Sequence, residues 1–254
     1  MKIGIIRERK QPSDQRVPLT PNQCAIIRER YPEVDLVVET SPDRCYADDE
    51  YREQGVTVTD DLSSCDVLMG VKEVPIDHLL AGKTYFFFSH TIKEQPYNRN
   101  LLRTVLERNI RLVDYETLTA TTGQRLIGFG RYAGIVGAYN GVRAWGLRHG
   151  TFQLPKAVDC RDRQEMETGF DQVQLPAIKI ALSGGGRVAR GAMEVLDALQ
   201  VPKVSPEAFL NEAFDGAVYT QLNVLDYNAR LDGTPGVVQD FFTHPEAYRS
   251  DFFR

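Results

Sequence analysis

No stretch of this chain approaches the ~18 consecutive apolar residues that a membrane-crossing helix requires. The opening "MKIGIIRERKQ" offers only four or five apolar positions before charges crowd in. That is too few for the apolar centre of a secretion signal and suits a first strand instead. Basic runs are missing as well, and the net charge is only −5, which argues against nucleic acid and against an anionic membrane as partner. Cysteines are few and scattered: Cys24, Cys45, Cys65 and Cys160 form no C-x-x-C pair and have no histidine at ligand spacing. Neither a zinc site nor a disulfide framework is expected, and the thiols read as those of a reducing cytoplasm. Internal repeats and low-complexity tracts are absent too.

What the chain does have is a globular balance, 42% hydrophobic and 26% charged over 254 residues, enough for one large domain or two of ordinary size. Short apolar runs alternate with amphipathic ones. "KIGII", "VDLVVET", "VTVTD", "DVLMGV", "TYFFFSH" and "IRLVDYE" read as strands. Thr20-Pro21 opens a helix through "NQCAIIRERY". "DDEYREQG" makes a second helix, closed by Gly55, and "YNRNLLRTVLERN" a third with a stripe of Leu101, Leu102, Val105 and Leu106. Such alternation predicts an α/β fold with a parallel sheet and helices on its faces. The small-residue-rich "GFGRYAGIVGAYNGVRAWGLRHG" reads as a long connecting helix packed between two domains, in which Gly134, Gly137 and Gly141 permit close approach to a neighbour. Residues 151–176 are polar and irregular, the expected boundary region. The division expected is a first domain over 1–135, a connecting helix and linker over 136–176, and the start of a dinucleotide-binding domain over 177–254. Few strands remain to complete that second domain, so the chain is expected to end inside it.

The second domain opens with strand "IKIAL" running into Gly184, Gly186 and Ala189, which fit G-x-G-x-x-A with Arg187 and Val188 inside the pattern. The first glycine permits a sharp turn; the second lets a pyrophosphate approach the backbone, where free N–H groups at the helix start face its charge. A tight turn without ligand is the bland alternative, and the strand–turn–helix context favours the cofactor. An acidic ribose contact belongs about 20 positions further on; Glu207 is the nearest candidate, in "VPKVSPEAF".

A second set of candidates lies at strand ends. Lys72 in "GVKEVP" and His90 in "FFFSHTIKEQPY" each follow an apolar run. If the two strands are parallel, an amine and an imidazole emerge at one rim of the sheet, where they could share proton transfers near neutral pH. Glu73 bears on this in both directions, because a carboxylate stabilises a charged lysine and a basic Lys72 needs burial or a nearby cation. Arg7 and Arg16 flank the first strand and its loop; Arg16, in "DQRVPLTP", suits a two-pronged contact with a carboxylate and equally suits a surface position. Glu116, after "RLVDY", is another strand-end carboxylate, structural on position alone.

"RVPLTP", "GVKEVP", "FFFSHTIKEQPY", "DYETL", "GFGRYAGIVGAYNGVRAWG" and the glycine turn, in order from Met1 to about Gly191, together resemble the lysine-forming saccharopine dehydrogenases. That family groups with alanine dehydrogenase and the N-terminal domain of nicotinamide nucleotide transhydrogenase. The resemblance implies two Rossmann-like domains with parallel sheets flanking a cleft, the second apparently incomplete here. It implies an oxidoreductase acting on the CH–NH group of an amino acid, interconverting saccharopine with lysine and 2-oxoglutarate through an imine, with NAD as cofactor and NADP not excluded. Lys72 is then the acid/base at the substrate amine and His90 the acid/base for water at the imine carbon. Arg16 and Lys93 contact substrate, while Glu73 and Glu116 tune the charge around Lys72. Cofactor contacts fall on Gly184, Gly186, Arg187, Val188 and Ala189. Partners are small amino-acid and 2-oxo acid substrates, with no nucleic acid, no membrane, no metal and the oligomeric state open. Rival readings are an alanine dehydrogenase-like enzyme and a non-catalytic amino-acid or nucleotide binder. A chain ending inside its second domain is expected to hold cofactor weakly and to turn over poorly.

Overall fold

The apolar runs of the first half become six parallel strands. The computed structural model describes residues 1–12 and 14–251. Among these, β1 (Lys2–Ile5), β2 (Asp35–Glu39), β3 (Thr57–Thr59), β4 (Val67–Lys72), β5 (Thr84–Phe88) and β6 (Arg111–Asp114) form one sheet in the order β3-β2-β1-β4-β5-β6. Every neighbouring pair runs parallel. This is the doubly wound, Rossmann-like order, in which the direction of winding switches between β1 and β4.

Both faces of the sheet are covered, which is why its strands read as apolar runs rather than as strict alternation. Ile5, Leu36 and Val38 join Cys24 and Tyr51 on one face, while Ile6, Val37 and Leu68 join Tyr85, Phe87, Leu101 and Val105 on the other. Helices α1 (Pro21–Arg30), α2 (Asp48–Glu53) and α3 (Arg99–Glu107) lie on these faces. The first starts where expected: Thr20 Oγ1 accepts from Gln23 N–H at 3.3 Å, and Gln23 Oε1 accepts from Thr20 N–H at 2.9 Å. The second is followed by Gly55, whose φ of +70° suits glycine. On α3 only half of the expected stripe is covered: Leu101 and Val105 are buried, Leu102 and Leu106 exposed.

The chain divides into two compact units, Met1–Gly128 and Phe129–Arg254. The second contains α4 (Gly130–His149), α5 (Arg163–Glu167), β7 (Lys179–Ser183), α6 (Arg187–Ala198), α7 (Pro206–Asn211), β8 (Val218–Leu222), β9 (Asn228–Arg230), α8 (Val238–Thr243) and β10 (Tyr248–Ser250). β7 and β8 pair in parallel, and β9 and β10 form an antiparallel pair. The helix expected to be a connection packs along α6 inside this unit. A Cβ on Gly134 would lie 1.9 Å from the Val188 carbonyl oxygen, and one on Gly191 would lie 1.9 Å from that of Arg131. Gly137 and Gly141, by contrast, have no such neighbour, so the expected close approach holds at Gly134 alone. Residues 151–176, expected as a boundary, are likewise part of the unit. Phe152, Leu154 and Met166 are buried with Ile135, Tyr139, Val142 and Val195, and Tyr139 Oη donates to the Pro155 carbonyl at 2.9 Å. A few well-placed apolar side chains anchor a segment whose average composition is polar. Among the described residues, no helix is long and apolar enough to cross a membrane.

Candidate active site at the carboxyl edge of the first sheet

Parallel strands expose all their carboxyl ends on one edge, and β4 ends there with Lys72. Its neighbour in β5 is Phe88, in register with it, and His90 follows two residues later. The two strand-end candidates therefore occupy adjacent strand termini, one either side of Val71 and Phe88, which pack with Tyr115 beneath the rim.

Around Lys72 the carboxylates are engaged elsewhere. Glu73 pairs with Lys10 rather than with Lys72, and its second oxygen is buried without a hydrogen-bond partner among the described residues. Asp14 takes a two-pronged contact from Arg16, including Arg16 Nε to Oδ1 at 2.8 Å. That contact, aided by the charge of Lys72 and opposed by burial, holds the Asp14 carboxyl below the usual carboxylate range. The fork of Arg16 expected on a substrate carboxylate thus lies on Asp14. Among the described residues Lys72 itself makes no ion pair or side-chain hydrogen bond. Glu8, which carried no sequence signal beyond a charged "RERK" run, accepts from the Val71 N–H at 2.7 Å and the Lys72 N–H at 2.9 Å. Burial raises its carboxyl above the ordinary value, and these two backbone bonds partly counter the shift.

The His90 group is built on buried anchors. Ser89, fully buried, donates to Asp114 at the end of β6 and stands 2.7 Å from Thr91 Oγ1. Asp114 Oδ1 also accepts from the Glu116 N–H at 2.8 Å, so one carboxylate fastens both loops. His90 then leaves the strand in the left-handed region, φ 58°, a conformation a non-glycine residue holds only when its surroundings fix it. Its Nδ1 lies 2.9 Å from Glu116 Oε2 and 3.1 Å from Lys93 Nζ. A single nitrogen cannot donate to one and accept from the other. The charge-assisted bond to the carboxylate is the stronger, which assigns the Nδ1 proton to Glu116 and leaves Nε2 as the basic nitrogen. Lys93 and Arg125 reach Glu116 Oε1 at 3.3 Å and 3.6 Å. Burial would raise the Glu116 carboxyl, but the bonds and charges of His90 and Lys93 prevail and hold it below its ordinary value. Glu116, expected to tune the charge around Lys72, is paired in this structure with His90. Arg125 was not foreseen; it lies in a glycine-containing loop with no strand to mark it.

In the second unit, Gly184 turns the chain out of β7 with φ 90°, and Gly186 is the N-cap of α6 without a side-chain cap. Among the described residues, no atom beyond each glycine's own chain neighbours lies within 4 Å of a Cβ built on Gly184 or Gly186, so the turn presents open backbone as a pyrophosphate would need. Arg187 starts the helix, Val188 is exposed and Ala189 buried. The neighbours of the turn are Gln221, whose Nε2 donates to the Gly184 carbonyl at 3.0 Å, and Asn223, near Gly185. Glu207 lies in the first turn of α7, just after the segment following α6, whose Lys203 bridges in parallel to Tyr219 of β8.

Residues 4–136 match the family model described as alanine dehydrogenase/PNT, N-terminal domain. The chain belongs to this family. Family relatives include the mitochondrial alpha-aminoadipic semialdehyde synthase of Mus musculus, 30% identical over 98% of this chain and 29% of the relative. A saccharopine dehydrogenase (NAD(+), L-lysine-forming) of Emericella nidulans is 31% identical over 78% of this chain and 57% of its own length. The chain thus spans under a third of the first and somewhat over half of the second. Among solved structures, an L-alanine dehydrogenase superposes with a TM-score of 0.60 at 18% identity, covering 88% of this chain and 61% of that one. A transhydrogenase from Sinorhizobium meliloti gives 0.56 at 18% identity, covering 86% of this chain and 64% of that one. At that identity the likeness establishes the fold alone.

Proposed function

We propose that this chain carries substrate-binding and cofactor-binding parts of a nicotinamide-dependent oxidoreductase acting on the CH–NH group of an amino acid, of the saccharopine dehydrogenase type. The observation that carries the reading is the state of Lys72: it ends a strand at the carboxyl edge, and the adjacent carboxylate, Glu73, is neutralised by Lys10. In this reading Lys72 takes the proton from the substrate's secondary amine as the C–N bond is oxidised. His90 Nε2 takes a proton from the water that adds to the imine carbon, and returns it to the departing amine. Glu116, bonded to Nδ1, orients the imidazole and stabilises the imidazolium between these events. Arg16 and Lys93 hold substrate carboxylates, which requires each to exchange an internal acid (Asp14, Glu116) for the substrate's.

NAD or NADP, when bound, supplies the hydride acceptor. Gly184, Gly186, Arg187, Val188 and Ala189 would hold its pyrophosphate, a role the open turn fits. The relatives' names support a substrate of lysine metabolism.

The test is direct: hydride transfer is followed with lysine plus 2-oxoglutarate and, separately, with pyruvate plus ammonia, each with NADH and NADPH. Turnover with the first pair is expected, and Lys72→Met and His90→Gln should each lower it by roughly 10²–10⁴. Turnover with pyruvate and ammonia alone would transfer the reading to alanine dehydrogenase chemistry, and full activity in His90→Gln would remove that residue from the mechanism.

A further inference from the structure

The ladder between β1 and β4 closes with the Ile6 N–H donating to the Met69 carbonyl at 2.9 Å. Beyond that rung the pairing of β4 with β5 shifts register between Met69 and Lys72. The N–H groups of Val71 and Lys72 therefore need acceptors that strand β1 does not supply, and leaving them unmet in a half-buried site would be costly. Glu8 supplies both, one oxygen to each. Gly70 makes the room: a Cβ there would lie 2.8 Å from Ile6 Cδ1 and 3.2 Å from Glu8 Oε1. The charges that act on this carboxylate are Asp14 and Arg16, of opposite sign. Tyr115, buried with its hydroxyl unpartnered among the described residues, feels the charge of Glu8 in turn.

We propose that Glu8 is the positioning residue for Lys72: its carboxylate replaces the strand at the last two rungs of β4 and thereby fixes the backbone from which the lysine projects. The inference deepens the proposed function, resting on it for the role of Lys72 but not for the clamp itself. Glutamine cannot substitute, because its amide oxygen meets one N–H while its NH₂ confronts the other donor. Aspartate is one methylene short of the same reach. Glu8 touches no substrate in this account. It acts through the strand end it holds.

The experiment compares wild type with Glu8→Gln and Glu8→Asp in the full chain, with circular dichroism as the check on folding. Hydrogen exchange at the Val71 and Lys72 amides is expected to quicken at least about tenfold in Glu8→Gln, the worth of one bond to a charged acceptor, while the Ile6 amide keeps its protection. The rate at which an amine-directed reagent labels Lys72 at fixed pH, read by mass spectrometry, should change with it. Turnover should fall in kcat with KM retained. If Glu8→Gln does not fold, Gly70→Ala crowds the same carboxylate and must give the same exchange and labelling signature. Unchanged protection at both amides overturns the proposal, as does altered protection with unaltered Lys72 labelling. Expected exchange and labelling in a wild-type protein that is inert toward every substrate pair would support the clamp and discard the proton-transfer role of Lys72.

Discussion

Glu116 collects three basic side chains, His90, Lys93 and Arg125, around one carboxylate that is 8% exposed. Although burial works against it, its folded value lies below its ordinary one. The sign of the linkage follows: the unfolded chain binds the proton first on acidification, so the stabilisation is complete above the unfolded value and is lost as pH falls through the folded one. Glu116→Gln is accordingly expected to flatten the acid limb of stability against pH, measured by urea unfolding between about pH 2 and 5. A variant whose acid limb superimposes on wild type would show that these three side chains do not stabilise the fold through this group. At this scale the sequence shows a charged residue wherever one closes an apolar run, which is how Lys72 and His90 stand out. Glu8 does not stand out, because its partners are backbone groups 63 and 64 residues away and no periodicity encodes such a contact.

The six strands of the first sheet were legible because each is an apolar run bounded by turn formers, and α1 because Thr20-Pro21 is a start signal with a physical mechanism. Residues 151–176 were not, since Phe152, Leu154 and Met166 bury themselves without any regular spacing. Nor does composition separate the glycines of α4, which the packing divides sharply. Gly134→Ala would drive a methyl group into the backbone of α6 and is expected to destabilise the second unit by about 1–3 kcal/mol or more. Gly137→Ala meets, among the described residues, no atom within 4 Å beyond its own chain neighbours and helix backbone and should stabilise the same helix by about 0.5–1 kcal/mol through lower backbone entropy in the unfolded chain. Trp145, the single tryptophan, packs against the core of this unit, so the fluorescence-detected unfolding midpoint reports both changes. Equal effects at the two positions would contradict the packing described for α4 and α6.

For the molecule as a whole, the same fluorescence separates the second unit from the first, which has no tryptophan. NAD(P) at a hundredfold excess over its dissociation constant should stabilise the Trp145-reported transition by about 2.7 kcal/mol, and Gly186→Leu should abolish that shift. Absence of any shift in wild type would show that the glycine turn holds no dinucleotide. The topology also has a consequence during synthesis. β1 is the first strand of its sheet to be made, yet it stands in the middle of that sheet, between β2 and β4. Its β2 edge can close once residue 38 is available, but its other edge waits for residues 67–69. At ~5–20 residues per second, adding the roughly thirty residues between them takes about 1.5–6 seconds. For that interval the nascent chain carries an apolar strand with one side unpaired, open to the wrong partner. The hazard is set by the rate of translation and by what meets the chain as it emerges, and strengthening the finished fold does nothing to shorten it.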